Sequence, residues 1–387
     1  MEQVLQRELK PTLSRILFIA TVENHFLSFH IPFMQYLQGK GYEVHAAAKI
    51  GERRKELEEQ NIICHNINFS RSINLPAALI SLGQLIKLMK KNKFTLVHVH
   101  TPMAAFLGRL AAKLTHTGPV LYTAHGFHFY EGAPWYYWIL IYPAEYLARK
   151  WTDGLIVMNQ EDYENAQRIG FQPKKNLFFV HGVGVDLKKI NNISFSNKGI
   201  KKELNIKEED IIISYIAEFI PNKNHIFLLK AWEKIAKEFN SIHLLFIGKG
   251  RYLNNLKKQV EQNSLPRVYF LGYRNDVPQI LNKTDILTLV SKREGLSRSI
   301  MEAMALGKPI IASNIRGNRD LIKDGENGFL VELGDVDSLV SALKKLINNA
   351  KLRANMRKVS LKKIKEYDIE KVLIEMASIY NSYLEKC

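Results

Sequence analysis

The feature that most constrains the fold is a regular alternation of short apolar runs with amphipathic segments. Apolar runs such as 16–20 and 96–99 have the length of buried strands, and segments with helical spacing follow them, as at 30–40 and 104–114. Parallel strands need long crossover connections, which helices usually provide. The alternation therefore predicts an α/β fold in which a doubly wound parallel sheet carries helices on both faces.

The alternation is interrupted once, near the middle of the chain. Residues 182–197 contain glycines, paired asparagines and serines without a clear period, which is typical of a linker. Because the alternation then restarts, we predict two Rossmann-like domains, 1–190 and 191–368, with ligands bound in the cleft between them. A last helix, 369–387, is expected to pack back toward the first domain.

Composition and missing motifs exclude several classes of protein. No uncharged apolar run approaches the roughly 20 residues of a membrane span. The N-terminus mixes both charges before any apolar stretch, so we expect no secretory signal and a cytoplasmic location. Cys64 and Cys387 are too far apart for a disulfide framework or a cysteine-rich metal site. Neither half contains G-x-G-x-x-G or a Walker lysine loop, which disfavours NAD and P-loop chemistry.

The net charge of +17 indicates an anionic partner, such as nucleic acid, acidic lipid or a phosphorylated substrate. The alternative is a basic protein whose lysines are simply solvated.

The segment 294–313 has the pattern of a strand, a glycine turn, a helix, a glycine stop and a second strand. Gly295 lets the backbone approach a ligand closely. The amides of Leu296, Ser297 and Arg298 open the helix, where free N–H groups and the helix dipole favour phosphate.

Glu302 lies in the first turns of the same predicted helix. Its carboxylate can accept two hydrogen bonds from the vicinal hydroxyls of a ribose. The alternative is a capping box with Ser299, since S-x-x-E also marks a helix start. Two glutamates separated by seven residues, Glu294 and Glu302, followed by A-M-A-x-G-x-P, resemble the retaining nucleotide-sugar glycosyltransferases of family 4, which have the two-domain GT-B fold.

The resemblance extends over nearly the whole chain and implies further site residues. His125 in T-A-H-G-F-H-F matches the histidine that faces the donor sugar, and G-V-G-V-D at 182–186 is similar to the interdomain signature. Lys223 stands where the family places a phosphate-binding lysine. Tyr273 and Arg274 belong to a loop that resembles the one that reads the nucleobase. The alternative for His125 is a satisfied histidine at a strand end.

One departure from the family pattern concerns the diphosphate. The family usually has Gly-Arg before the lysine, whereas this chain has alanine followed by Glu218. Arg293, Lys292 or Arg298 could supply the missing phosphate contact.

The resemblance implies transfer of a sugar, with retained configuration, from a nucleoside diphosphate to a glycan or polyprenyl-diphosphate-linked acceptor. Glu294 would contact the transferred sugar and His125 would orient it. Lys223, basic neighbours and helix amides would stabilise the leaving diphosphate with neither a metal nor another cofactor. Relatives with a similar T-A-H-G-F-H-F-Y segment assemble bacterial capsule or exopolysaccharide. The alternatives are a GT-B epimerase or phosphorylase, and a nucleic-acid-binding protein, which the paired glutamates and the absence of a stacking module disfavour.

Other histidines are weaker candidates. His98 and His100 share one face of a strand and could resemble a metal pair, but no third ligand stands out in the sequence. We interpret His100 as a possible cleft residue and His98 as structural. Cys64 and His65 point to opposite faces of a strand, which favours a core position over a nucleophilic pair.

Between residues 127 and 146, nine of the twenty residues are aromatic. The uncharged stretch 135–144 is too short to span a membrane. Amphipathic aromatics with nearby cations prefer the headgroup boundary of acidic membranes, but aromatics also fill protein cores. The resemblance favours peripheral association with the anionic inner face of the cell membrane.

Overall fold

The computed structural model describes residues 14–70, 74–193 and 199–385. The chain divides into two compact units, Met1–Val180 with Leu373–Cys387, and His181–Val372. The sequence-based division instead places the boundaries after residues 190 and 368. Residues 194–197 of the predicted linker and 386–387 of the predicted last helix lie outside the described residues.

The first unit contains a seven-stranded parallel sheet with the strand order β3-β2-β1-β4-β5-β6-β7. Its strands are β1 (Arg15–Val22), β2 (Glu43–Lys49), β3 (Ile63–Asn66), β4 (Leu96–His100), β5 (Val120–Ala124), β6 (Gly154–Val157) and β7 (Leu177–Phe179). Its helices are α1 (Glu23–Phe29), α2 (Ile31–Gly39), α3 (Arg54–Glu58), α4 (Leu75–Asn92), α5 (Pro102–Thr115), α6 (Trp135–Ala148) and α7 (Gln160–Arg168). Every residue of the central strands β4 and β5 is buried, as expected for a parallel sheet covered on both faces.

The second unit contains a six-stranded parallel sheet with the strand order β10-β9-β8-β11-β12-β13. Its strands are β8 (Ile211–Ile216), β9 (Ile242–Ile247), β10 (Val268–Phe270), β11 (Ile286–Leu289), β12 (Ile310–Ser313) and β13 (Gly328–Val331). The helices of this half are α8 (Leu187–Asn191), α9 (Ile200–Glu203), α10 (His225–Ile235), α11 (Leu253–Gln262), α12 (Val277–Lys283), α13 (Arg298–Ala305), α14 (Asn318–Leu321), α15 (Val336–Asn348) and α16 (Ala350–Lys363). Helix α17 (Ile369–Leu384) is the last described helix and enters the first unit at Leu373.

The strand order reverses at one place in each sheet, between β1 and β4 and between β8 and β11. The predicted doubly wound α/β fold is therefore confirmed. Ligands of such sheets bind beyond the carboxyl ends of the strands at this switch point. We therefore expect functional residues in the loops after β1 and β4 and in the loops after β8 and β11.

Among the described residues, no helix combines the length and the apolar character needed to cross a membrane. The helices that the sequence analysis missed are short: α1, α8, α9 and α14 have four to seven residues. Segments of this length do not complete enough turns to show a helical period.

Candidate active site

The loops after β8 and β11 are joined by hydrogen bonds at the switch point of the second sheet. Asn222 donates from Nδ2 to the carbonyl of Arg293 at 2.9 Å, and the amide of Lys292 donates to the carbonyl of Asn222 at 2.8 Å. The hydroxyl of Tyr215, on the buried strand β8, donates to the carbonyl of Lys223. These bonds hold Lys223 beside the loop that carries the first glutamate of the predicted motif.

Lys223 and Glu294 form an ion pair. The Lys223 Nζ atom lies 2.5 Å from Glu294 Oε1, and the two side chains are 21% and 10% exposed. The partial burial weakens competition from water, so the pair fixes both side chains. An ammonium that can donate to phosphate and a carboxylate that can accept from sugar hydroxyls therefore lie side by side.

The backbone around Gly295 is held from the loop after β12. Arg316, which is 2% exposed, donates from Nε to the carbonyl of Glu294 at 3.2 Å. Gly317 has φ +74°, and a Cβ atom there would lie 2.2 Å from the carbonyl oxygen of Gly295. Any side chain at 317 would displace the glycine turn. Arg316 and Gly317 were not predicted from the sequence, although an Arg-Gly pair shortly after a buried strand was a usable signal.

The helix that follows the turn is α13, and its N-cap is Ser297. The Ser297 hydroxyl accepts a long 3.4 Å hydrogen bond from the amide of Ile300. The alternative interpretation of Glu302, a capping box with Ser299, is therefore wrong, because Ser299 lies inside the helix. Glu302 instead accepts a hydrogen bond from Arg298 Nε at 2.9 Å and stays 21% exposed. Its carboxylate remains accessible to a ligand one turn from the helix start.

The loop after β10 is organised by Arg274. Its guanidinium binds Asp276 at 2.7 Å and Glu203 at 3.0 Å. The two carboxylates raise the pKa of Arg274, and Arg274 lowers the pKa of Asp276. Tyr273 is 65% exposed, with Lys249 Nζ 5.0 Å from its ring centre. Arg274 thus positions the loop, whereas Tyr273 presents an aromatic face that a nucleobase could stack on.

Glu218, which stands where the resemblance implies a phosphate-binding arginine, is exposed. Of the three suggested replacements, Lys292 is exposed, Arg293 is half-buried, and Arg298 is paired with Glu302. Which of them contacts phosphate stays a prediction.

The switch point of the first sheet holds a cluster of histidines. His125 follows β5, and its Nε2 atom lies 3.2 Å from His25 Nε2 and 3.4 Å from His100 Nδ1. His100 ends β4, His25 lies on α1, and His30 separates α1 from α2. The sequence analysis identified His100 and His125 but missed His25 and His30. Their H-x4-H spacing shortly after a predicted strand was the available signal.

Burial keeps this cluster neutral. Desolvation lowers the pKa of His125 to about 4 and lowers the pKa values of His25, His30 and His100 well below the ordinary range. The neighbouring His98 is different, because both of its ring nitrogens are hydrogen-bonded: Nδ1 lies 2.9 Å from the Tyr380 hydroxyl and Nε2 lies 2.7 Å from the Thr123 hydroxyl. These contacts fit the structural role predicted for His98.

Cys64 has no sign of activation. Burial raises the pKa of its thiol to about 11, so the thiolate is scarce at neutral pH. The adjacent His65 is engaged elsewhere, with Nε2 2.7 Å from His45 Nδ1.

The aromatic helix α6 has two different faces. Trp138 and Tyr142 are half-buried and pack against Phe129, with ring centres 5.7 and 5.2 Å apart. In contrast, Trp135 is 72% exposed and Leu140 is 63% exposed. One face of α6 therefore packs against the first unit, and the other exposes apolar side chains.

An ion pair fixes the orientation of α6. Arg109, fully buried on α5, binds Glu145 through two hydrogen bonds of 2.8 and 3.1 Å. The guanidinium also lies 4.3 Å from the ring centre of Tyr122. With Glu145 facing inward, the opposite face of α6 is presented to solvent.

Comparison with known proteins gives matches along both halves of the chain. The family model described as glycosyl transferases group 1 matches residues 196–363, and the model described as glycosyl transferase 4-like matches residues 15–159. HepE of Anabaena, whose crystal structure contains UDP and glucose, has a similar fold, with a TM-score of 0.79 and 19% identity over 95% of this chain and 100% of that one.

Two curated relatives are similar over most of their length. EpsD of Bacillus subtilis, which is named as a glycosyltransferase, is 34% identical over 96% of this chain and 97% of its own. The UDP-Gal:α-D-GlcNAc-diphosphoundecaprenol α-1,3-galactosyltransferase of Escherichia coli is 34% identical over 80% of this chain and 81% of its own. The chain therefore belongs to the family 4 glycosyltransferases with the GT-B fold, and it is a transferase enzyme.

Proposed function

We propose that the protein transfers a sugar, with retained anomeric configuration, from a UDP-sugar to a lipid-linked diphosphate acceptor during synthesis of a bacterial cell-surface polysaccharide. The observation that supports this most strongly is the Lys223–Glu294 pair, at 2.5 Å, at the switch point of the second sheet and beside the N-terminus of α13. The cation and the helix amides can bind the diphosphate, and the carboxylate can accept hydrogen bonds from the sugar hydroxyls.

The donor chemistry follows from these positions. The amides of Leu296, Ser297 and Arg298 bind the diphosphate, and Glu302 accepts hydrogen bonds from the ribose. Tyr273 offers a stacking face to the base. The choice of UDP is supported by the UDP-galactose specificity named for the relative from Escherichia coli and by the UDP bound to HepE.

In the reaction, the bond between the sugar and the diphosphate breaks while the acceptor oxygen bonds to the same carbon, and the hydroxyl proton leaves with the diphosphate. Negative charge grows on the departing UDP, and the Lys223 ammonium stabilises it as a donor already held in place by Glu294. We expect no metal ion at the diphosphate, because Lys223 and the helix amides already stabilise the negative charge that develops there. Glu294 accepts hydrogen bonds from the transferred sugar.

The acceptor is proposed to be lipid-linked and reached at a membrane surface. Helix α6 exposes Trp135, Ile139 and Leu140 on one face, and Arg149 and Lys150 follow at its C-terminal end. Aromatic and aliphatic side chains of this kind enter the headgroup region, and the cations attract acidic lipid. The net charge of +17 supports the same partner.

The catalytic proposal is tested with UDP-glucose, UDP-galactose and UDP-N-acetylglucosamine, each with and without a polyprenyl-diphosphate-linked N-acetylhexosamine. Mass spectrometry should show one sugar added to the acceptor for one donor, and the Glu294→Gln variant should lose this product. Conversion of donor without acceptor would instead identify an epimerase, and a requirement for phosphate would identify a phosphorylase.

The membrane proposal is tested by flotation with anionic vesicles. Trp135→Ala combined with Leu140→Ala should release the protein without lowering its melting temperature, because both side chains are exposed. Ile374→Ala is the matched control, since Ile374 is 71% exposed on α17. Trp138 is unsuitable as a target because it is half-buried and packs against Phe129. If the wild-type protein does not float with anionic vesicles at low salt, membrane binding is refuted and the catalytic proposal is unaffected.

A further inference from the structure

We infer that His25, His30, His100 and His125 form a binding site for a divalent transition-metal ion of the class that imidazole prefers, with Zn²⁺ as its representative. One ring nitrogen from each of these residues lies within 4.8 Å of the other three. The four side chains come from the ends of β4 and β5 and from the segment after β1, all within the first unit. The inference goes beyond the proposed function and does not depend on it.

The spacing of the nitrogens matches a coordination shell. In a tetrahedral site with Zn–N bonds of about 2.0–2.1 Å, neighbouring ligand nitrogens lie about 3.3–3.4 Å apart. The distance from His25 Nε2 to His125 Nε2 is 3.2 Å, and that from His125 Nε2 to His100 Nδ1 is 3.4 Å. Two of the nitrogen pairs therefore already have the edge length of the tetrahedron.

Hydrogen bonding within the described part of the chain does not satisfy the cluster. Both ring nitrogens of His30 and the Nε2 atom of His100 are buried with no hydrogen-bond partner there. His30 is 2% exposed and His100 is fully buried, so bulk water does not reach them. Buried polar atoms of this kind are rare and need an explanation. A metal ion held by one ring nitrogen of each residue would give a buried nitrogen of His30 a partner.

The charge state of the cluster suits ligation as well. Metal ions bind the neutral imidazole, and the lowered pKa values described above keep these four residues neutral at pH 7. Repulsion between positive charges prevents these close rings from being protonated together. A single divalent cation between four neutral rings avoids that repulsion.

Two other histidine groups show what a satisfied arrangement looks like. His98 is hydrogen-bonded through both ring nitrogens to a tyrosine and a threonine. His45 is hydrogen-bonded through both ring nitrogens as well, with Nδ1 2.7 Å from His65 Nε2 and Nε2 2.8 Å from Glu43 Oε1. Neither group leaves an unpartnered buried nitrogen comparable to those of His30, so neither is included in the site.

The resemblance implies no metal at the leaving diphosphate, because Lys223 and helix amides would stabilise its charge. The histidine site is a different place, at the switch point of the first sheet. His125 lies 25 positions from His100 and 100 positions from His25 along the chain, so their proximity was not visible in the sequence.

The test uses the full-length protein, stripped with EDTA and then titrated. We expect one equivalent of Co²⁺ to give the intense visible absorption of a tetrahedral site, and Zn²⁺ to displace it and to raise the melting temperature. His25→Ala and His30→Gln should each weaken Zn²⁺ binding by at least about tenfold. Mutation of a residue that only orients a metal ligand already has an effect of this size. The matched controls are His65→Gln and His116→Asn, which should bind Zn²⁺ like the wild type.

Absence of stoichiometric Co²⁺ binding in wild-type protein that melts cooperatively would overturn the inference. Unchanged Zn²⁺ affinity in His25→Ala would overturn it too, by placing the ion elsewhere. If His30→Gln fails to fold, His25→Ala decides the matter, because His25 is only partly buried on a short helix. Calorimetry with UDP on the same samples tests the proposed function separately, since the residues proposed to bind UDP lie in the second unit.

Discussion

Replacement of Glu302 by glutamine tests whether this carboxylate binds the donor or only stabilises the fold. In the absence of ligand, Glu302 is engaged by Arg298 at 2.9 Å, four residues earlier on the helix, and the two side chains are 21% and 49% exposed. Exposed pairs with this spacing contribute about 0.3–0.5 kcal/mol. At about 2–4 °C per kcal/mol for a domain of this size, Glu302→Gln should lower the melting temperature by less than about 2 °C.

The effect on donor binding should be much larger. A carboxylate that accepts from ribose hydroxyls forms charge-assisted hydrogen bonds, whose loss costs about 1.5–3 kcal/mol. At about 1.4 kcal/mol for each factor of ten, the Kd for UDP should rise about 10- to 150-fold. The neutral amide keeps the shape of the side chain, so the change reports on charge and not on packing.

Isothermal titration calorimetry with UDP measures the affinity, and thermal unfolding measures the stability. Glu58→Gln is the matched control, because Glu58 pairs with Arg54 at 2.7 Å with the same spacing on a helix of the first unit. The control should lose a similar small amount of stability and no UDP affinity. Unchanged UDP affinity in Glu302→Gln, with the fold intact, would remove Glu302 from the donor site.

Three further predictions concern single positions. Lys223→Ala should lower kcat more than it raises KM in steady-state assays, because its contact strengthens as the diphosphate leaves; a rise in KM alone would contradict this. Glu145→Ala should destabilise the protein by about 3–5 kcal/mol in urea unfolding, since Arg109 would stay buried without its partner, and Arg109→Met with Glu145→Met should recover most of that loss. Burial lowers the pKa of Lys308 to about 8. The unfolded chain therefore binds more protons than the folded one above pH 8, and the stability cost of this lysine at pH 7 fades as the pH rises toward about 10. Lys308→Met should be more stable than the wild type at pH 7 in urea unfolding, with a gap that narrows by pH 9.5.

Local pattern was enough to predict most of the secondary structure and the fold class. The last helix was predicted to begin at residue 369, where α17 begins, because its apolar residues repeat at helical spacing. Buried strands such as β4 were visible as short apolar runs. The seven-residue helix α1 was missed, because a segment of that length carries too little periodic signal to be distinguished from a turn.

The residue types of the donor site were also predictable, because they lie in short motifs with fixed spacing. Glu294, Gly295 and Glu302 belong to one strand–turn–helix segment, and their relation depends only on local geometry. The resemblance to family 4 added Lys223 and His125 in the same way, by matching short motifs.

Tertiary structure alone decided which of these residues touch. Lys223 and Glu294 are 71 positions apart, and they meet because β8 and β11 are neighbours whose carboxyl ends share one edge of the sheet. The same geometry gathers His25, His100 and His125 at the ends of β1, β4 and β5. It also decided that Trp138 faces the core and Trp135 faces solvent, because the rotation of α6 is fixed by the Arg109–Glu145 pair. A sequence shows which side chains an element carries, whereas strand order and helix rotation, which arise from packing between distant segments, determine what those side chains contact.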